Sequence, residues 1–277
     1  MENCRNHKSD IHRVGNPYFH PQEKTEERDI RIIITDLSET YPDDMPGRLG
    51  VSESDEVIRI SCKDIPGRNM YCDDEAYEEI RNRLKSYPAA ETGIHFIDTG
   101  NYHYMSRIFT SFIDRKYDLY LLDNHNDMQR AGLGEILSCG SWALDVLEKD
   151  ENLSSLYVYG PGSFEAEGEK CDVTLMGKTV SGRVYRGKGF ESGDHPVYLS
   201  VDKDILDMEE CVTNWDQGNL SMAELIELIH LCVAGKNLTG ADICGGISET
   251  DPECTGDILS ENTESDRKLL EEIRKYF

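Results

Sequence analysis

The chain has 277 residues, and its 29 Lys and Arg residues against 54 Asp and Glu residues give a formal net charge of -25 at pH 7. This charge should repel nucleic acid and anionic membrane surfaces, whereas it is compatible with cationic substrates or divalent metals. Hydrophobic residues make up 38% of the sequence, which is enough for the core of one α/β domain.

The nine cysteines are scattered along the sequence, and none forms a C-x-x-C pair. The sequence therefore predicts neither a zinc knuckle nor a disulfide framework, and reduced thiols are typical of cytosolic proteins. The segment Met1-Glu2-Asn3-Cys4-Arg5 lacks an apolar signal core, and no apolar run approaches membrane-spanning length. We expect a soluble, cytoplasmic protein.

Short apolar runs alternate with helical patterns along most of the chain. Residues 1–29 are polar and without periodicity, which predicts an N-terminal arm before a single domain over 30–277. The predicted strands cover 30–34, 57–60, 94–97, 119–122, 156–159, 197–201 and 238–243. The segment 171–189 is typical of short strands with glycine turns.

Helical spacing of apolar residues lies between most of these runs. Predicted helices begin at Asp73 or Asp74, near Met105, at Ser141 and at the Ser221 capping box, and a closing helix covers 263–277. Strands that alternate with helices predict a mostly parallel sheet covered on both faces.

Potential metal ligands follow three of the predicted strands. The candidates are His103, Asp123, His125, Asp127, Asp202 and Asp204. Ligands of parallel sheets bind beyond the carboxyl ends of the strands, and residues two apart point the same way in an extended chain. Four ionised carboxylates cannot converge without a cation, and two divalent ions would balance them. The absence of cysteine from the cluster disfavours a structural zinc site.

Each candidate alone has a plainer interpretation. An aspartate at a strand end is often a helix cap or a turn residue, and a lone histidine is more often packed or exposed than bound to metal. The joint pattern of three strand ends favours the metal site. The segment Ser192-Gly193-Asp194-His195 also contains ligand-type residues, but it comes in the wrong order. We interpret it as a turn, and whether His195 lines the site stays open.

The ordered motifs resemble those of the ureohydrolase superfamily of arginase, agmatinase and formimidoylglutamase. The segment Gly100-Asn101-Tyr102-His103-Tyr104 resembles the G-G-D-H-S element of that family, and Asp123-Asn124-His125-Asn126-Asp127 resembles its D-A-H-x-D. The segment Ser200-Val201-Asp202-Lys203-Asp204-Ile205-Leu206-Asp207 resembles its S-x-D-x-D-x-x-D. The resemblance covers roughly residues 94–249.

This resemblance implies an arginase-like fold, which is a three-layer α/β/α sandwich with a mostly parallel sheet, and a pair of Mn²⁺ ions. By the resemblance, one ion would be held by His103, Asp123, Asp127 and Asp202, and the other by His125, Asp123, Asp202 and Asp204. In the family a hydroxide that bridges the ions attacks an amidino carbon.

The implied activity is hydrolysis of a linear, non-peptide C–N bond in a small cationic guanidino or formimino compound. The implied catalytic residues are Asp127, Cys139 and Glu249. Family members often form trimers or hexamers, so a homo-oligomer is compatible with the sequence.

The sequence departs from the family where the substrate is handled. The family has a proton-shuttle histidine in a segment that here covers 137–142, where Cys139 lies closest to that position. A thiol could shuttle protons if its pKa were lowered, although a small loop residue is the plainer interpretation. The guanidinium-binding glutamate of the family aligns with Gly245, and Glu249 would have to reach the site through Gly245-Gly246. Loops that recognise an α-amino acid are not evident after Asp127, so arginine is not supported as the substrate.

Two alternatives follow from these departures. The chain could be a catalytically impaired arginase-like protein that binds metal or regulates another process. A related metal-dependent deamidase or deacetylase is a third hypothesis, since deacetylases share this general fold. Those enzymes use one zinc and a His-His pair, and the sequence contains no such pair.

Overall fold

A computed structural model of the protein describes residues 29–130, 136–160, 169–175, 178–186 and 193–277. All of the predicted N-terminal arm except its last residue lies outside these ranges. The strands are β1 (Arg31–Asp36), β2 (Glu56–Ser61), β3 (Tyr71–Cys72), β4 (Gly93–Phe96), β5 (Tyr117–Leu122), β6 (Leu137–Ser138), β7 (Leu153–Tyr159), β8 (Glu169–Leu175), β9 (Lys178–Arg186), β10 (Val197–Asp202) and β11 (Leu238–Cys244).

The helices lie between these strands and after the last one. They are α1 (Met45–Arg48), α2 (Asp74–Lys85), α3 (Met105–Thr110), α4 (Trp142–Lys149), α5 (Met222–Val233) and α6 (Gly256–Arg274). None of the helices in the described part of the chain has the length and apolar composition that crossing a membrane requires.

Nine of the described strands form one sheet in the order β2-β1-β4-β11-β10-β5-β7-β9-β8. The first eight strands in this order, which begin with β2 and end with β9, are parallel to one another. The ninth strand, β8, pairs antiparallel with β9 at the edge of the sheet. The short strands β3 and β6 form a separate antiparallel pair. The prediction of a mostly parallel sheet is confirmed.

Both faces of the sheet are buried, because successive side chains of a strand point to opposite faces. In β5, Leu119 and Leu121 pack into one core together with side chains of α2, α3 and α4. Tyr120 and Leu122 of the same strand belong to the opposite core, which contains side chains of α1, α5 and α6. Each fully buried leucine contributes about 1.5–3 kcal/mol of hydrophobic stabilisation. The three-layer α/β/α sandwich is therefore confirmed.

Two predicted helix starts are confirmed by their capping contacts. At α5, Ser221 Oγ accepts from the backbone N–H of Glu224 at 3.3 Å, and Glu224 Oε2 accepts from the backbone N–H of Ser221 at 2.9 Å. At α2, Asp73 Oδ1 accepts from the backbone N–H of Ala76 at 2.8 Å. These contacts satisfy backbone donors that the first helical turn leaves unpaired.

Two predicted elements differ from the structure. The closing helix begins at Gly256 rather than at 263, because Thr255 Oγ1 caps the backbone N–H of Ile258 at 3.3 Å. The first turns of this helix carry buried polar residues such as Asn262, so the apolar periodicity of the sequence begins after the first helical residue. The segment 171–189 contains parts of two long strands, and β9 extends the parallel sheet beyond β7.

Candidate metal centre

The sheet order brings the predicted ligands to one place. Strands β4, β11, β10 and β5 are adjacent and parallel, so their carboxyl ends lie side by side. A cavity of about 140 Å³ opens at these strand ends. All six predicted ligands line it, together with Met70, Tyr71, Gln129, Cys139 and Trp215.

The first cluster surrounds the Nδ1 atom of His103, which is fully buried. This nitrogen lies 3.2 Å from Asp123 Oδ2, 3.0 Å from Asp127 Oδ2 and 3.2 Å from Asp202 Oδ2. Two ligand atoms that lie about 2.1 Å from the same ion and at a right angle to each other are about 3 Å apart. The spacing of these four donor atoms therefore fits one divalent cation.

The second cluster surrounds the Nδ1 atom of His125. This nitrogen lies 2.8 Å from Asp204 Oδ2 and 3.6 Å from Asp123 Oδ1. The two oxygens of Asp123 thus face different histidines, which is the arrangement of a carboxylate that bridges two ions. The Oδ1 atom of Asp202 accepts from the backbone N–H of Asp204 at 3.0 Å, and a bridging role for Asp202 stays a prediction.

Repulsion among the carboxylates changes their protonation. Burial and the charges of Asp202 and Asp123 raise the pKa of Asp204 to about 9. Burial and the charge of Asp123 raise the pKa of Asp127 to about 7. Hydrogen bonds to Asp123 and Asp204 raise the pKa of His125 to about 11. These groups hold protons that a bound cation would displace, as the sequence predicted.

Two further observations concern the partners of the carboxylates in this donor set. The buried Oδ2 atom of Asp123 has no hydrogen-bond partner. The cation nearest in sequence, Lys203, is turned away and forms a buried ion pair with Asp266 at 2.5 Å. Among the described residues, the ion-pair partners of the four cluster carboxylates are His103 and His125. The residues present therefore fit a pair of divalent ions.

No protein-family model matches the chain. An uncharacterized protein from Thermotoga maritima is 30% identical over 209 residues, which are 73% of this chain and 78% of that protein. Among solved structures, formimidoylglutamase from Bacillus subtilis is similar with a TM-score of 0.53 and 12% identity, over 94% of this chain and 95% of that chain. A hypothetical agmatinase from Burkholderia thailandensis is similar with a TM-score of 0.58 and 15% identity, over 89% and 86% of the two chains. The chain belongs to one family with the Thermotoga maritima protein, and it shares the fold of these two solved structures.

A third similar structure contains a metal. It is a triple mutant of an arginase-like protein from T. brucei bound with Mn²⁺, with a TM-score of 0.53 and 13% identity over 90% of this chain and 92% of that chain. At these low identities, the three solved structures share the fold of this chain.

Polar contacts hold the first cluster in place. The Nε2 atom of His103 lies 2.9 Å from Ser200 Oγ, so Nδ1 is the nitrogen that faces the carboxylates. Trp142 Nε1 donates to Asp127 Oδ2 at 2.6 Å, and the backbone carbonyl of Asp127 accepts from Ala143 N at 3.0 Å. Such contacts fix the tautomer and the orientation of metal ligands. The sequence placed Trp142 on a helix and Ser200 in a motif, but it did not reveal these two roles.

The structure does not support two predicted catalytic residues of the ureohydrolase reaction. Cys139 lines the cavity, but burial and the charge of Asp127 raise the pKa of its thiol to about 12. The lowered pKa that proton transfer by Cys139 would need is therefore not found. Glu249 is exposed and does not line the cavity, and its backbone N–H donates to the carbonyl of Glu39 at 3.4 Å.

Gly245 shows why a glutamate is missing at the position where the ureohydrolase pattern has one. Its φ is 91°, and a Cβ atom there would lie 2.5 Å from Asp202 Oδ1 and 3.0 Å from the backbone N of Lys203. A side chain at this position would therefore displace a metal ligand. His195 directly precedes β10, at the amino ends of the strands and away from the cavity, and Ser192 lies outside the described residues.

The structure places a cysteine beside the cluster. The sequence motifs contain no cysteine, but His103, Asp202 and Cys244 each offer a ligand atom within 4.8 Å of the other two. Cys244 ends β11, which lies between β4 and β10, and its Cα is the register partner of Asp202. Like the ligands at the ends of β5 and β10, Cys244 lies at the carboxyl end of a strand, but its position beside Asp202 depends on the order of the strands in the sheet.

Proposed function

We propose that the protein is a manganese-dependent hydrolase with a binuclear site, which cleaves a linear, non-peptide C–N bond of a guanidino or formimino compound. The observation that carries this proposal is the arrangement of the six predicted ligands. Four carboxylates lie around two histidines, and Asp123 faces both histidines. The fold shared with a formimidoylglutamase and a hypothetical agmatinase supports the reaction class.

When bound, a pair of Mn²⁺ ions would supply the nucleophile by lowering the pKa of a water molecule between them. The residues of the chain would position the ions and hold the released proton. Asp123 would set the separation of the two ions, because each of its oxygens faces one cluster. Ser200 fixes the His103 ring, and Trp142 fixes the Asp127 carboxylate on the cavity side of the first cluster. We assign Asp127 the role of holding the proton that the nucleophile releases.

The substrate would enter beside the second cluster. The side chain of His125 is 33% exposed, whereas that of His103 is 2% exposed. The His125 ring meets the edge of the Trp215 ring, with 6.1 Å between the ring centroids. Trp215 Nε1 donates to Asn101 Oδ1 at 3.0 Å, which holds the indole at the cavity wall. A planar amidine group would lie between this indole and the ligands.

The test uses the full chain loaded with Mn²⁺ and a panel of guanidino and formimino compounds that includes agmatine and formimidoylglutamate. We expect release of urea or formamide from at least one compound. Asp123→Ala should abolish release. Asp44→Ala serves as a matched control, because Asp44 is an exposed carboxylate at the start of α1. Full occupancy by two ions without turnover of any compound would overturn the proposal.

A second candidate function is an arginase-like protein that binds metal without catalysis. The observation that favours it is the steric exclusion of any side chain at Gly245, together with the position of Glu249 outside the cavity. The same experiment separates the candidates. Metal-loaded protein that binds a panel compound in calorimetry but releases neither urea nor formamide would support this second function.

A further inference from the structure

We propose that Cys244 is an additional ligand at the first cluster, which would let this position also bind thiophilic divalent cations such as Zn²⁺, Co²⁺ or Cd²⁺. The inference rests on the proposed metal site, but it does not require that the site hydrolyse anything. It widens the range of metals expected there, because a site of carboxylates and imidazole alone suits Mn²⁺, whereas a thiolate adds affinity for softer ions.

The backbone of the sheet fixes the thiol next to the cluster. Cys244 and Asp202 are register partners on the neighbouring parallel strands β11 and β10, at the carboxyl end of both. The sulfur atom lies within 4.8 Å of donor atoms of both Asp202 and His103. A sulfur about 2.3 Å from an ion and an oxygen about 2.1 Å from it lie at most about 4.4 Å apart. A side-chain shift of a few tenths of an ångström at most would therefore bring all three atoms to one ion.

A second observation points to a cation at the same place. The Oδ2 atom of Asp123 is buried, has no hydrogen-bond partner and lies 3.2 Å from Nδ1 of the same histidine, His103. A buried carboxylate oxygen that lacks a partner is costly, and a cation between Asp123, His103 and Cys244 would satisfy it. The chain therefore places a thiol beside a donor set that contains four buried carboxyl groups.

The competing contact of the thiol is weak. Cys244 Sγ lies 3.5 Å from the carbonyl oxygen of Thr99, and a thiol is a poor hydrogen-bond donor. Binding of a cation would replace this S–H contact with a metal–sulfur bond, and the thiol proton would be released to solvent. No oxidant or other reactant is needed.

The other cysteine near the site provides a matched control. Cys139 lines the cavity, but among the described residues the potential metal-binding groups include Cys244 and not Cys139. Cys232 is fully buried like Cys244, but it lies on α5 and provides a control for the loss of a buried thiol. The three variants Cys244→Ala, Cys139→Ala and Cys232→Ala therefore separate ligation from proximity and from packing.

The experiment measures the absorption spectrum of the full chain loaded with Co²⁺. We expect a near-ultraviolet charge-transfer band from a thiolate, which Cys244→Ala abolishes and which the other two variants retain. Cys244→Ala should also lower the affinity for Cd²⁺ by at least about 10-fold and change the affinity for Mn²⁺ by less than about 3-fold. A band that survives in Cys244→Ala, or Co²⁺-loaded wild-type protein without a band, would overturn the proposal.

X-ray absorption by the Zn²⁺-loaded wild-type protein gives an answer even if Cys244→Ala fails to fold. A sulfur scatterer at about 2.3 Å from the metal supports the proposal, and a shell of nitrogen and oxygen alone overturns it. These spectra also separate the two proposals. A thiolate ligand without hydrolysis of any compound would contradict only the proposed reaction, whereas Mn²⁺-dependent hydrolysis without sulfur ligation would contradict only the role of Cys244.

Discussion

The two clusters of the candidate metal centre differ in how firmly the fold holds them. The first cluster lies in the core, where the His103 side chain is 2% exposed and buried hydrogen bonds fix His103 and Asp127. The second cluster lies at the cavity mouth, with the His125 side chain 33% exposed and an aromatic neighbour. A metal ligand that is already fixed loses little entropy on binding, so we infer that the first cluster binds its ion more tightly.

The largest expected effect separates the two histidines. His103→Ala should remove the ion of the first cluster and lower kcat/KM by at least about 1,000-fold, because loss of one ion removes several kcal/mol of transition-state stabilisation. His125→Ala should also abolish turnover but leave one tightly bound ion. Metal analysis after gel filtration measures the difference. Equal loss of metal in the two variants would contradict the ranking of the clusters.

The pH dependence of metal binding gives the next effect. The pKa of Asp127 is raised to about 7 and that of Asp204 to about 9, so both carboxyl groups carry protons at lower pH and must lose them to bind an ion. The affinity for Mn²⁺ should therefore rise between pH 6 and pH 9, by about 10-fold per pH unit for each proton displaced. Calorimetry in two buffers of different ionisation enthalpy measures the protons released. Affinity that does not change with pH would refute this coupling.

A smaller effect tests the contacts that hold the first cluster. Trp142→Phe keeps a buried aromatic ring but removes the Nε1–H group that donates to Asp127 Oδ2. Loss of such a contact typically lowers metal affinity about 10–100-fold. We expect the tightly bound ion to weaken to this extent, as measured by competition with a chelator. Unchanged affinity would show that the indole hydrogen bond does not position Asp127.

The smallest effect concerns Trp215, whose indole lies beside the second cluster as that of Trp142 lies beside the first. Trp215→Phe removes the Nε1 donor to Asn101 and leaves an aromatic ring near His125. Since Trp215 is only partly buried, we expect the affinity for the second ion to fall by less than about 10-fold and KM to rise more than kcat falls. Steady-state kinetics against one substrate of the panel would measure this. A larger metal defect than in Trp142→Phe would reverse the comparison.

The sequence predicted the parts of the centre that depend on local pattern. His103, Asp123, His125, Asp127, Asp202 and Asp204 all reach one cavity, because each follows a strand that periodicity identified. The position of Cys244 depends instead on the order of strands in the sheet, and β11 separates β4 from β10 although it is last in the chain. Such non-local pairing is not visible in local periodicity.

Burial of polar residues explains the other difference from the prediction. The first three turns of α6 carry Asn262, Ser265 and Asp266, which are buried by contacts with other parts of the chain. Asn262 Nδ2 donates to the carbonyl of Val212 at 2.7 Å, and Asp266 pairs with Lys203 at 2.5 Å. Because these side chains form hydrogen bonds or ion pairs inside the protein, a helix with a polar sequence can pack against the core.

The most direct test of the account is the number of divalent ions that the protein binds. The full chain would be saturated with Mn²⁺, passed through a desalting column and analysed for metal and protein. The account predicts about two ions per chain in the wild type and about one in His125→Ala. A wild-type protein that binds a single ion or none at saturation would contradict the binuclear centre.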